Sequence, residues 1–179
     1  MKETRHVCPP GMARFLNLPV RKLIENPRKI LLPYVNEGDT AIDLGCGGGF
    51  FTVELAKLVG SSGKVIAVDF QPEMLELTRR FASRKKVADR ITVHHCDQDD
   101  IMLTGQTADV VIAMHIVHET PDPERFLRQV SELVHPGGYL LVSEPKGHAE
   151  KESFVIIRNR CEQYGPVSYT HLRAHETKA

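Results

Sequence analysis

No excess of charge of either sign marks this chain of 179 residues: 23 lysines and arginines stand against 23 aspartates and glutamates. Without a run of basic residues, nucleic acid is not the expected partner. Aromatic residues are scarce as well, at 6% with no tryptophan, which weighs against the stacking platforms of a single-strand binder. No apolar run approaches the length of a membrane span, and the charged segment 1–6 lacks the apolar stretch of a signal peptide. Cysteine is limited to Cys8, Cys46, Cys96 and Cys161, with no CxxC pair. That pattern fits free thiols in a cytoplasmic protein better than a disulfide framework or a zinc site. There is no internal repeat, linker or low-complexity segment, and the length suits one domain around one core.

What the chain does have is alternation. Short apolar runs expected as strands, at 41–44, 65–69, 91–95, 109–114 and 139–143, are separated by helical patterns at 50–58, 72–86 and 123–133. This predicts an α/β fold with a parallel sheet. Ahead of the first strand, 20–25 and 27–35 read as short amphipathic helices, with Asn26 as N-cap and Pro27 at the first helical position. A last helix is expected at about 150–164.

The first strand runs into Asp43-Leu44-Gly45-Cys46-Gly47-Gly48-Gly49-Phe50, and the second, Val65-Ile66-Ala67-Val68, ends on Asp69. Glycines at such a turn allow positive φ and let a ligand come close to the backbone. A carboxylate at the next strand end can accept strong hydrogen bonds from ribose hydroxyls. A dinucleotide fingerprint needs G-x-G-x-x-G. Gly45 and Gly47 fill its first two positions, but the third falls on Phe50, whereas D-x-G-x-G-x-G is filled by Asp43, Gly45, Gly47 and Gly49. The chain here resembles motif I of the class I S-adenosylmethionine-dependent methyltransferases. The likeness continues in order: Asp69-Phe70 resembles the ribose acid and adenine-packing residue, Cys96-Asp97-Gln98 the adenine-edge motif, Ala108 to His115 the fourth strand, and His135-Pro136-Gly137-Gly138 the "K-P-G-G" turn into strand five. The small-molecule branch typified by ubiquinone and menaquinone biosynthesis is the most similar.

The resemblance implies a Rossmann-like, doubly wound, mostly parallel sheet and the cofactor S-adenosyl-L-methionine, with S-adenosyl-L-homocysteine as product. Gly45, Cys46 and Gly47 would face the methionyl part, with Gly49 completing the motif. Asp43 would orient the loop and Asp69 would hold the ribose. Phe70 would pack on adenine, Asp97 and Gln98 would meet its edge, and Met114 and His115 would offer backbone carbonyls to the amino group. His115-Ile116-Val117-His118-Glu119 has the order H-x-x-H-E, which matches neither common zinc-protease motif, so no metal is expected. His118 and Glu119 are the candidate acid–base pair on the acceptor side, since histidine titrates near neutrality. His6 and Cys8 are weaker candidates for facing the acceptor. The expected partner is a small-molecule methyl acceptor, not nucleic acid or a membrane. Neither N-P-P-Y nor P-C follows strand four, which disfavours amino-group base methyltransferases and cytosine C5 enzymes. Two alternatives stay open: an NAD-dependent oxidoreductase, and a non-catalytic S-adenosylmethionine-binding protein.

Residues 167–177 break the pattern and resemble the conceptual translation of a transposase-end adapter used in DNA library preparation. The expected organisation is therefore an N-terminal helical cap at 1–35, a truncated methyltransferase domain at 36–166 and a non-native tail at 167–179. Such a domain would lack the last two strands of its fold, leaving strand five as an unpaired apolar edge.

Overall fold

The structure, a computed structural model, describes residues 25–144 and the backbone of 168–171. Most of the expected helix at 20–25, all of that at 150–164, and His6 and Cys8 lie outside the described residues. Six parallel strands form one sheet: β1 (Thr40–Leu44), β2 (Lys64–Asp69), β3 (Ile91–His95), β4 (Ala108–Met114), β5 (Val134–Ser143) and β6 (Ser168–His171), in the order β3-β2-β1-β4-β5-β6. Four helices accompany them: α1 (Pro27–Leu31), α2 (Phe50–Leu58), α3 (Pro72–Arg84) and α4 (Pro123–Leu133). The strand order reverses between β1 and β4. In open parallel sheets that switch point opens a crevice beyond the carboxyl ends of the strands, where ligands bind.

Strand alternation builds two cores. On one face Ile42 and Leu44 of β1 pack with Val111, Leu140 and Val142 beneath Leu127, Val130 and Leu133 of α4. On the other, Ala41, Val65, Val110 and Ile112 lie beneath Leu31 of α1, Phe51 and Val53 of α2, and Phe81 of α3. Helices on both faces make the sheet doubly wound, as expected. Asp43, two residues after Ala41, is thereby turned toward the α2 side and is buried.

Three boundaries differ from expectation by more than one residue, for local reasons. Asn26 caps α1 by accepting from Lys29 N at 3.3 Å, but the helix stops at Leu31, because Pro33 disfavours helical geometry before it. Helix α3 stops at Arg84, and Lys86 takes φ +58°. Strand β5 starts early, at Val134, which pairs Ala108; the register then jumps to Val110↔Tyr139 around the Pro-Gly-Gly turn.

The expectation of an unpaired β5 edge is corrected. Ser168–His171 pairs with it in parallel, from Tyr139↔Ser168 to Val142↔His171. An open edge offers its N–H and C=O groups to any extended segment within reach, and Tyr169 and Thr170 favour strand geometry. Removing 167–179 is expected to uncover that edge and cause self-association. Sedimentation velocity should show larger species than for the full chain at equal concentration; an unchanged distribution would mean that β6 does not protect β5.

Candidate functional site

The turn after β1 is held by its own backbone and by α3. Cys46 N donates to Val68 O at 2.9 Å and Gly49 N to Cys46 O at 2.9 Å. Gly47 N donates to Asp69 Oδ2 at 2.9 Å, and Thr78 Oγ1 donates to Gly47 O at 2.8 Å. The amides of Cys46 and Gly47, and the carbonyls of the same two residues, are thus engaged by protein, so what the turn offers a ligand is the shape of its backbone. Two of its glycines answer different demands. A Cβ on Gly45 (φ +67°) would lie 2.7 Å from the Ile116 side chain, so packing requires glycine there. A Cβ on Gly47 (φ +51°) would meet nothing within 4 Å, so glycine there keeps space open beside the turn.

That space is a cavity of about 260 Å³, lined by Asp43, the turn from Gly45 to Gly48, Asp69, Phe70, Met114 and His115, with Ile116, His118 and Glu119 beyond. A smaller lobe of about 50 Å³ includes Cys96, Asp97, Gln98, Ile101, Thr120 and Phe126 in its wall. Gly45, Asp69, Phe70 and Ile116 belong to both walls, so the lobes form one cleft across the ends of β1, β2 and β4. Every expected cofactor residue lines this cleft except Gly49. That residue is the N-cap of α2, where a Cβ would lie 2.9 Å from Thr78 Oγ1; Gly48 lines the cavity in its place.

Asp69 stands where the lobes meet. It is 6% exposed, with Oδ1 accepting from Gln71 N at 2.9 Å in addition to the Gly47 contact. Burial pushes its carboxyl above the ordinary range, and the Gln71, Gly47 and Phe70 amides oppose that push. A carboxylate has about four acceptor sites, so capacity remains for a ligand hydroxyl. Asp43 accepts from Thr52 Oγ1 at 2.5 Å, which ties β1 to α2. Its carboxyl is pushed up to about 7, first by burial and then by the Asp69 charge, with Thr52 opposing. Below the smaller lobe the acidic run divides: Arg125 takes Asp99 and Asp100 at 3.2 and 3.3 Å, while Asp97, on the lobe wall, donates its N–H to Asp100 O at 3.0 Å.

At the end of β4, His115 holds φ +60°, an uncommon conformation for a residue other than glycine. Its N–H donates to Ser143 O at 2.7 Å, its Nε2 pairs with Glu25 Oε1 at 2.9 Å, and its Nδ1 is buried with no hydrogen-bond partner among the described residues. The following 3₁₀ turn, Val117–Glu119, carries His118. Its Nδ1 hydrogen-bonds to Glu144 Oε2, while Glu144 Oε1 accepts from Val117 N at 2.9 Å. The bond to Glu144 raises the His118 pKa, and burial works against it. Glu144, Thr52 and Thr78 were not among the expected site residues. The one available signal for Glu144 was an acidic residue just past the end of strand five, the end at which this sheet opens its crevice.

A profile described as "Methyltransferase domain" matches residues 35–178. The chain belongs to this family. Among curated relatives, the methyltransferase domain is 33% identical over 110 residues to a demethylmenaquinone methyltransferase of Lactobacillus johnsonii, covering 62% of this chain and 45% of that protein. It is 29% identical over 133 residues to a ubiquinone biosynthesis O-methyltransferase of Cereibacter sphaeroides, covering 74% and 52%. The chain therefore spans about half the length of these curated relatives. A crystal structure of an S-adenosylmethionine-dependent methyltransferase from Aquifex aeolicus superposes with a TM-score of 0.76 at 26% identity, over 87% of this chain and 88% of that one. The fold and the family of the domain are those that the ordered motifs implied.

Proposed function

We propose that this methyltransferase domain binds S-adenosylmethionine in the cleft and transfers its methyl group to a small-molecule acceptor. The observation that carries the reading is Asp69 at the junction of the two lobes, with one carboxylate oxygen fixed to the glycine turn and acceptor capacity to spare. The residues present fit the cofactor. The space beside Gly47 is kept clear by a residue that no protein neighbour forces to be glycine. When bound, S-adenosylmethionine supplies a methyl group on a positively charged sulfur. Asp69 holds the ribose hydroxyls, Phe70 packs against the adenine, and Asp97 and Gln98 serve its edge. Gly45, Cys46 and Gly47 cradle the methionyl part, with Met114 and His115 offering carbonyls at its amino end. Asp43 fixes the turn through Thr52. The chain contributes position, exclusion of water and a pre-arranged electrostatic environment, which together can supply much of the acceleration of such a displacement.

No helix among the described residues is long and apolar enough to cross a membrane, and Cys46 and Cys96 are free thiols, in keeping with a cytoplasmic enzyme. The dinucleotide reading loses ground because Phe50, at its third glycine position, is the buried first residue of α2.

Thermal unfolding of the full chain with S-adenosylhomocysteine, and with NAD as control, tests the assignment. A ligand that binds only the native state raises the midpoint. S-adenosylhomocysteine alone is expected to do so; a midpoint that moves with NAD only, or with neither, would refute the cofactor reading.

A further inference from the structure

Among the described residues His118 has two acidic neighbours, and the structure separates their roles. Glu119 follows it in the same turn, with Oε1 4.0 Å from His118 Nε2, too far for a direct hydrogen bond. Glu144 reaches it from the end of β5 and bonds Nδ1. Glu144 is itself 6% exposed and fixed through its second oxygen to Val117 N, one residue before the histidine. An acid clamped to the backbone beside an imidazole sets both the ring's orientation and its tautomer. With Nδ1–H donated to the carboxylate, the lone pair of the neutral ring is on Nε2. His118 and Glu119 both line the large cavity, whereas Glu144 lies behind them, outside its wall.

We propose that Glu144, and not Glu119, positions His118 as the base that takes a proton from a hydroxyl acceptor. The inference rests on the methyl-transfer reading above and names the acceptor class for the same site. An amine attacks in its neutral form and can release its proton afterwards. A hydroxyl is a weak nucleophile near neutrality and gains most from a base. In the proton step the acceptor O–H bond breaks and its electron pair stays on oxygen, ready to form the new O–C bond. The proton passes to His118 Nε2, and the resulting imidazolium is stabilised by Glu144. Among the described residues, the titratable groups around this histidine are Glu144 at the end of β5 and Glu119 in its own turn. Along the same cavity wall stand Asp43 of β1, Asp69 of β2 and His115, the last paired with Glu25.

The test begins with the full chain and needs no acceptor. Ring-nitrogen NMR of ¹⁵N-histidine protein, with His118→Gln to assign the signals, follows the titration and tautomer of His118. Glu144→Gln retains an oxygen for Val117 N and loses only the charge. It is expected to lower the His118 titration midpoint and abolish the preference for the Nδ1–H tautomer. Glu119→Gln should leave that tautomer unchanged. A His118 signal unmoved by Glu144→Gln, or one that follows Glu119→Gln instead, overturns the pairing. Methyl transfer is then read with phenol, catechol and 1-naphthol as hydroxyl probes and aniline as the amine. His118→Gln should lower kcat by roughly a hundredfold or more. Glu144→Gln should lower it less while moving the acid limb of the pH profile to lower pH, and in both variants KM for S-adenosylmethionine should hold within about twofold. Transfer to aniline alone, or to no probe while S-adenosylhomocysteine still binds, overturns the hydroxyl acceptor. Failure of S-adenosylhomocysteine to bind is a failure of the cofactor reading instead, and the titration in the ligand-free protein still decides the role of Glu144.

Discussion

Replacing Asp69 by alanine is expected to weaken S-adenosylhomocysteine binding by roughly thirty- to a thousandfold, the equivalent of about 2–4 kcal/mol. A hydrogen bond to a charged group contributes about 1.5–3 kcal/mol, and this carboxylate has capacity left after its backbone contacts. The same substitution strands the N–H groups of Gly47 and Gln71, each now 2.9 Å from a carboxylate oxygen, so the glycine turn loses a tether as well as the ligand an acceptor. Asp69→Asn separates the two effects. It keeps one oxygen for a backbone amide and a ribose hydroxyl while removing the charge, and its affinity should fall between wild type and alanine. Titration calorimetry gives the affinities, and circular dichroism at the same temperature establishes that each variant is folded. Alanine affinity within about threefold of wild type would remove Asp69 from the ribose site.

How far the sequence carries depends on whether a feature is local. Strand β3 (Ile91–His95) and helices α2 and α4 have the expected bounds, because apolar spacing and caps are written within each segment. Asp122 accepting from Arg125 N at 3.0 Å at the start of α4 is such a signal. The place of the glycine turn and of Asp69 on the cleft wall was legible for the same reason: each closes a strand at the end where the sheet opens. The pairs Asp43–Thr52, Gly47–Thr78 and His118–Glu144 join residues 9, 31 and 26 positions apart, and only the packed sheet brings them together. Glu119, adjacent to His118 in sequence, was the natural partner to expect, yet the 3₁₀ turn leaves its oxygen 4.0 Å from the ring nitrogen. The pairing of β6 with β5 escaped for a different reason. An edge is satisfied by backbone groups that every residue carries, so side-chain patterning gives no warning of it.

The largest pH effect is expected at Asp43. Its carboxyl is pushed from an ordinary 3.8 to about 7, so the folded chain binds a proton there that the unfolded chain has already released. Stability from this group is complete below about pH 4 and is lost as pH rises toward 7, a change on the order of 4 kcal/mol across that window. Asp69 is raised in the same direction, and the raised His118 extends the trend: what its proton contributes is lost as pH climbs through its folded value. The ligand-free protein should therefore be less stable at pH 8 than at pH 5.5. Asp43→Asn, which removes the titration and keeps an oxygen for Thr52, should flatten much of that fall in urea-unfolding free energies. A variant slope equal to that of wild type would show that Asp43 ionises in the folded state as readily as in the unfolded one. On the proposed cofactor reading, the same charge would also act on a bound ligand. S-adenosylmethionine carries a positive sulfur and S-adenosylhomocysteine a neutral one, so an ionised Asp43 in the cavity wall favours the first over the second. The ratio of their affinities should rise with pH through about 7 in the wild type and stay level in Asp43→Asn. On the proposed cofactor reading, the stability lost in the empty protein by burying a carboxylate beside the glycine turn would be offset when a cationic ligand occupies the cleft.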